Sequence, residues 1–331
     1  MYDTSRIPFG RVILGFAAVY ILWGSTYLAI RFAVATLPPL LMAGTRHLLA
    51  GLVLYVIVRH FTGAPRPTFR HWRSAAILGG LLLLGGNGLV SWAEQSVPSG
   101  VAALIVAAVP FWMVLLNAAN ERHRPRWPLL AGLVMGLAGL AVLVLPDFSS
   151  APSHRAALGV GVLLVATFSW AVGSLYAPKA PLPSSVFLAT AMEMLAGGIL
   201  CWLVGLSVGE GAAVHVSTIS LKSLLALCYL IVFGSLLGFS AYVWLLKVST
   251  PARVSTYAFV NPVIAVLLGW LFAGEAVTPR VLIAGAVIVA AVGVILYCGT
   301  SRSPRTYSQA GDDGSNLAPA GQPSTPGKHA A

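Results

Sequence analysis

Two ionisable side chains stand where their surroundings tolerate charge least. Arg46 lies seven residues past Pro39 and Glu193 nine residues past Ser184, both inside long apolar runs. At about 1.5 Å of rise per residue, Arg46 is roughly 10 Å into its segment, too deep to snorkel comfortably. A charge at the bilayer centre costs about 2.5–3.5 kcal/mol on insertion scales, so neither residue persists there without a partner or water. Aligning RHLLAG (46–51) with MEMLAG (192–197) sets Glu193 opposite His47, so the two charges occupy nearly equivalent places. Two readings stand. In one, Arg46 and Glu193 pair with each other or with backbone groups and hold the segments together. In the other, at least one faces a cavity, with Arg46 meeting an anionic or carboxylate group and Glu193 exchanging a proton or holding a substrate cation.

Aromatic and amide side chains supply the rest of a candidate pocket: Trp23, Tyr27, Asn87, Trp112, Trp170, Tyr176, Tyr242 and Asn261, with Tyr257 before the last. Aromatic faces hold flat or cationic organic ligands by stacking and cation–π contact. Tryptophan and tyrosine near segment ends also form interfacial belts, the competing reading for Trp92 and Trp244. Pro110 and Asn261-Pro262 sit midway along their segments. An interior proline removes a backbone hydrogen bond and kinks a helix, and the freed carbonyl needs a protein group or cavity water.

Enzymatic chemistry finds little to stand on. The chain has no GxxxxGK[ST] phosphate loop and no HExxH, and its aspartates (Asp3, Asp147, Asp312, Asp313) lie outside the apolar runs. Direct use of ATP and intramembrane aspartyl proteolysis are therefore disfavoured, and no metal or other cofactor is expected. Cys201, Cys228 and Cys298 fall within apolar runs without a Cys-x-x-Cys or His/Cys cluster and read as small hydrophobes.

These residues need a membrane to position them. Of 331 residues 58% are hydrophobic and 9% charged, against about 25% charged in a soluble domain. A helix crosses the hydrocarbon with about 20 apolar residues. Ten such segments are legible: roughly 12–30, 38–58, 74–93, 99–119, 128–146, 156–177, 184–206, 221–246, 254–273 and 280–298. The runs are unbroken and too long for barrel strands of about ten residues. The first is too long for a signal peptide and lacks a clear small-x-small cleavage site, so it reads as a retained span. Residues 299–331 turn to Ser, Pro, Gly and Ala, which predicts a disordered tail.

The net charge of +11 reports topology rather than a nucleic-acid partner. Of the 20 basic residues, 15 fall in the terminal segments and even-numbered loops, four (Arg31, Arg155, Lys222, Arg280) in the others, and Arg46 within a span. Basic loops stay in the cytoplasm, which predicts both termini there. The architecture also occurs twice. VPSGVA (97–102) aligns with TPARVS (250–255), Pro98 on Pro251 and Val101 on Val254; the same offset sets Ala131-Gly132 on Ala284-Gly285. Five spans per copy force the second copy to lie inverted. Residues 207–220 hold no Lys or Arg, whereas their counterpart loop holds Arg59, Arg66, Arg70 and Arg73. The expected fold is all-α: ten transmembrane helices as two inverted five-helix repeats, 12–146 and 156–298. Inverted repeats are the usual frame of alternating-access transporters, with the site at their interface. Small residues four apart, at Gly132/Gly136, Gly234/Gly238 and Ala286/Ala290, read as packing faces within the bundle, or else as a homodimer contact through the fifth and tenth segments.

The motifs WGSTYLAIR (23–31), Pro38-Pro39, Arg46 with Ala50-Gly51, WAEQ (92–95), SGVAALI (99–105), Pro110, Asn261-Pro262 and Gly274-Glu275, with Glu121 in the corresponding place of the first half, carry a resemblance. Over about residues 12–298 the chain resembles EamA-type members of the drug/metabolite transporter superfamily, and WGSTYLAIR and WAEQ are most similar to the YedA-type subgroup. The resemblance implies a multi-pass protein of the bacterial inner membrane, a secondary transporter exporting small organic metabolites or drugs. It also implies a central cavity walled by the third, fourth, eighth and ninth helices. The second half lacks an arginine at the Arg46 position and carries Glu193 one place on, which argues against a strictly symmetric mechanism. The expected partners are a small-molecule substrate, protons and the lipid bilayer. Proton-coupled export is the first reading and an uncoupled facilitator or channel the alternative.

Overall fold

Helices form wherever the apolar runs are unbroken, because a backbone in hydrocarbon must satisfy its own N–H and C=O groups. A computed structural model describes residues 8–121, 154–249, 251–254 and 257–299, with scattered residues between 127 and 142. Most of the expected fifth segment at 128–146, and all of the tail beyond Gly299, lie outside the described residues, as does the side chain of Glu121.

The elements run α1 Phe9–Ala33, α2 Pro39–Phe61, α3 Phe69–Ala93, α4 Ser99–Val106, α5 Val109–Glu121, α6 His154–Tyr176, α7 Val186–Ser207, α8 Leu221–Val248, α9 Tyr257–Ala273 and α10 Pro279–Gly299. Among the described residues there is no strand, and six helices (α1, α2, α3, α6, α7 and α8) are long and apolar enough to cross a membrane. Shorter apolar helical stretches lie at Ser99–Met113, Val260–Ala273 and Pro279–Ala291. Large apolar side chains cover both faces: Leu48 and Met194 pack inside, while Leu52, Val56, Leu203, Leu271 and Phe272 are exposed on the outside. A helix apolar all round is one that meets lipid where it does not meet protein. Cys201 is buried, but Cys228 is exposed rather than packed inside.

The fourth segment departs from the expected single kinked helix. Its first part closes at Ala107, whose N–H reaches Ala103 O at 3.0 Å, and the chain restarts with Phe111 N to Ala108 O at 2.9 Å. The break therefore falls at Ala107–Ala108. Pro110 takes the first turn of α5, where its missing N–H costs no hydrogen bond. Pro262, by contrast, lies inside α9, which continues through it.

Glycines set the closest approaches. A side chain on Gly198 of α7 would fall 3.0 Å from Gly44 O of α2, and one on Gly51 2.9 Å from Leu195 N. Such contacts let α2 and α7 pack backbone to backbone. In α3 residues 79–88, and in α8 residues 230–239, are π-helical, each a ten-residue stretch in the middle of its helix. Wider turns of this kind often accompany functional sites.

Two carboxylates fasten helix N-termini from a distance. Glu210, past α7, accepts from Leu40 N at 3.1 Å and Leu41 N at 2.9 Å at the start of α2. Glu275 accepts from Ser99 N at 2.8 Å, Ser99 Oγ at 2.7 Å and Gly100 N at 3.1 Å at the start of α4. Gly274, at φ +65°, supplies the left-handed turn that ends α9 just before Glu275. Each carboxylate satisfies orphan N–H groups at the positive end of a helix dipole.

Candidate substrate cavity

The innermost cavity is built on α1, whose residues Trp23, Thr26, Tyr27 and Ile30 recur at helical spacing along one face. Gly86, Asn87 and Val90 of α3 face them, with Arg46 of α2, Val106 and Val109 at the break in the fourth segment, Ala166, Thr167 and Trp170 of α6, and Tyr257 of α9. Its volume is ≈ 50 Å³. That is room for one or two waters, well short of the roughly 300 Å³ at which organic-ligand pockets begin. The cavity is narrow.

Aromatic rings make most of its wall. Trp23 meets Trp170 edge to face at 5.5 Å between centroids and Tyr257 likewise at 5.4 Å; it meets Tyr242, tilted, at 4.9 Å. Their polar atoms are held. Trp23 Nε1 donates to Gly234 O at 3.2 Å, Trp170 Nε1 donates to the Tyr242 hydroxyl at 3.1 Å, and that hydroxyl shares a 2.6 Å hydrogen bond with Ser174 Oγ. The π-helical stretches make room for both indoles. A side chain on Gly238 would sit 2.6 Å from Trp23 Nε1, and one on Gly86 2.5 Å from Trp170 Cε3.

Arg46 is 2% exposed. Its Nε donates to Ser235 Oγ of α8 at 2.7 Å, and Ser235 Oγ lies 3.5 Å from His47 Nδ1. No ion pair joins Arg46 to Glu193. Arg46 Nη1 is buried without a hydrogen-bond partner on a residue that lines the cavity. A cationic donor so placed suits an anionic or carboxylate group of a ligand.

The residues singled out from sequence divide accordingly. Trp23, Tyr27, Arg46, Asn87 and Trp170 come together around the cavity. Trp112 stands behind it, its Nε1 donating to the lining Thr167 at 2.9 Å, and Tyr242 stands behind Trp23 and Trp170. Asn261 ties α9 to α1 instead: with its amide nitrogen turned toward the acceptors, it reaches Tyr20 O at 3.0 Å and Tyr257 O at 3.3 Å. Tyr176 and Glu193 are not among the lining residues. Glu193 is buried on α7, and the cation acting on it is Lys247 near the end of α8.

Beyond the inner cavity lies a wider vestibule of ≈ 890 Å³, lined by Arg31, Thr36, Trp92, Glu94, Gln95, Arg155, Glu210 and Thr218 among others. Glu94 was not anticipated as a cavity residue. Burial, and after it the Glu275 carboxylate, push the Glu94 carboxyl well above the ordinary range, against the pull of Arg31 and Arg46.

The model of the EamA-like transporter family matches residues 10–145 and again residues 157–297. The sequence is 38% identical over 283 residues to the uncharacterized inner membrane transporter YedA of Escherichia coli (strain K12), covering 84% of this chain and 88% of that one. It is 29% identical over 296 residues to a probable amino-acid metabolite efflux pump of Salmonella typhimurium, covering 84% of this chain and 92% of that one. A crystal structure of a protein 22% identical in sequence superposes with a TM-score of 0.63 over 88% of this chain and 99% of the other, a likeness of fold.

Proposed function

This chain belongs to the EamA-like transporter family, a family of transporters and not of enzymes, and from that premise we propose that it exports small organic solutes across the bacterial inner membrane, driven by a proton gradient. Two inverted five-helix repeats rock about a midplane site, with both termini in the cytoplasm. The observation that carries this reading is the makeup of the inner cavity. Its wall draws Trp23 to Val109 from the first matched region and Ala166 to Tyr257 from the second. A site assembled from both halves opens to one side or the other as they move.

The paired π-helical stretches in α3 and α8 and the crossing of Trp23 onto α8 support the same two-fold arrangement. Names among the relatives include an amino-acid metabolite efflux pump, which brings amphoteric metabolites into the range of solutes to try. An efflux screen over metabolites and toxicants, comparing cells that lack the protein with cells that overproduce it, tests export. No solute retained by the first and cleared by the second refutes it.

One observation favours an uncoupled facilitator: the lining of the inner cavity includes Arg46 but no carboxylate. Coupling ordinarily needs a titratable group in the pathway. Flux into vesicles with and without a pH gradient separates the two readings.

A further inference from the structure

Glu94 is a carboxyl for which the packing of the bundle gives no structural reason. The residue is 0% exposed, and neither Oε1 nor Oε2 has a hydrogen-bond partner. The capping carboxylates Glu210 and Glu275, by contrast, each hold two or more donors. A buried ionised carboxylate without a partner is strongly disfavoured, so at Glu94 the carboxyl is kept neutral by a proton or meets a cation.

Its position gives that proton a route. Asn87 and Val90 lie near the end of α3, and Glu94 caps that end, its N–H reaching Val90 O at 3.0 Å. Asn87 and Val90 line the inner cavity and Glu94 lines the vestibule. On α1 the same passage runs from Ile30 in the inner wall to Arg31 in the outer. Glu94 therefore stands one helical turn beyond Val90, between residues that line the inner cavity and those that line the vestibule.

A cation is already at hand. Arg31 Nη1 donates to the backbone carbonyl of Glu94 at 2.6 Å, placing the guanidinium on the residue but not on its carboxyl. Tyr27 of α1, Arg46 of α2 and Glu275 of the turn before α10 also act on Glu94, and Arg155 and Glu210 share its vestibule.

We propose that Glu94 is a proton-binding site, which exchanges its proton with the vestibule and pairs with Arg31 when the proton leaves. The exchange is a single acid–base step: the carboxyl O–H releases a proton to the vestibule, the electron pair stays on the carboxylate, and the Arg31 guanidinium moves from the Glu94 carbonyl to the carboxylate. The reverse step restores the acid. Use of the site to drive export rests on the proton-coupled reading above. It places the coupling group at Glu94 rather than at Glu193, which lines neither cavity.

The test follows the proton on the protein itself. The purified full chain in lipid vesicles is titrated with pH while infrared difference spectra record the C=O stretch of protonated carboxyls. A buried acid band that titrates in the wild type, disappears in Glu94→Gln and persists in Glu193→Gln is the expected result. Arg31→Gln should carry the Glu94 titration to higher pH, because the ionised form loses its partner. Glu94→Asp, which keeps a carboxyl, should restore a shifted band, and this readout serves even if Glu94→Gln folds poorly. A band unchanged in Glu94→Gln, or in both Glu94 variants, overturns the proposal. If the band behaves as expected but wild-type efflux ignores a collapsed pH gradient, the coupling reading fails while the proton site stands.

Discussion

Trp23 and Trp170 meet edge to face, their ring centroids 5.5 Å apart and their planes at 83°. Trp23 on α1 rests against Gly238 of α8, and Trp170 on α6 against Gly86 of α3. Each indole from one matched half thus beds on a π-helical stretch of the other, and both rings line the inner cavity.

That bedding leaves little slack. In Gly238→Ala the new methyl group would fall 2.6 Å from Trp23 Nε1 and 3.0 Å from Phe233 O, and the latter is backbone that cannot swing away. The substitution should destabilise by about 1–3 kcal/mol, as overpacking does. Thermal unfolding in detergent reads the shift, and efflux should fall with it because Trp23 is displaced from Gly234 O. An unchanged melting temperature would mean the helices separate easily at this point.

Arg46 is tied to the second half through the hydrogen bond from its Nε to Ser235 Oγ. Ser235→Ala leaves a buried guanidinium with one donor fewer satisfied, at a cost of about 1–2 kcal/mol for a polar contact within a helical bundle in lipid. Ser235→Thr keeps the hydroxyl and should lose much less. Melting curves of the two variants, compared with efflux by each, distinguish an anchor for Arg46 from mere packing.

The carboxylate caps make a separate prediction. Glu275→Ala removes the acceptor for Ser99 N, Ser99 Oγ and Gly100 N and should cost about 1–2 kcal/mol, in the range of a lost helix cap. Glu275→Gln retains one side-chain oxygen and should fall between Ala and wild type. The order of melting temperatures, wild type above Gln above Ala, is the check.

Most of the inner cavity was legible in the chain because polar and aromatic residues are conspicuous in apolar runs. Trp23, Tyr27, Arg46, Asn87 and Trp170 needed no more than that. Direction was harder to read. In helices that are apolar all round, periodicity does not say which face looks inward; Glu193 is buried but is not among the residues that line the cavity. Glu94 sits just past the apolar run 74–93, where its spacing from Asn87 and Val90 is the only local signal. The partners that matter most here, Ser235 for Arg46 and Ser99 for Glu275, lie 189 and 176 residues away in sequence, and no local pattern announces them. The break at Ala107 was displaced from the proline that prompted it, since Pro110 fits a helix start better than a helix middle.

Glu94 also ties stability to pH. Its carboxyl in the folded protein holds its proton to higher pH than an ordinary carboxyl would. A group whose folded-state value is raised contributes stability that is present below the unfolded-state value and is lost as pH rises toward the folded-state value. The melting temperature of the wild type should therefore decline as pH rises from the ordinary carboxylate range upward. In Glu94→Gln, which keeps the side chain neutral throughout, that part of the decline should vanish.

The inverted arrangement is tested most directly by accessibility labelling of two loops. Single cysteines at Pro65→Cys, between α2 and α3, and at Val216→Cys, between α7 and α8, are placed in a chain whose Cys201, Cys228 and Cys298 are replaced; both sites are exposed, Val216 at 81%. A membrane-impermeant thiol reagent should label Val216→Cys in intact cells and Pro65→Cys only after the membrane is opened. Labelling of both from the same face would contradict the account.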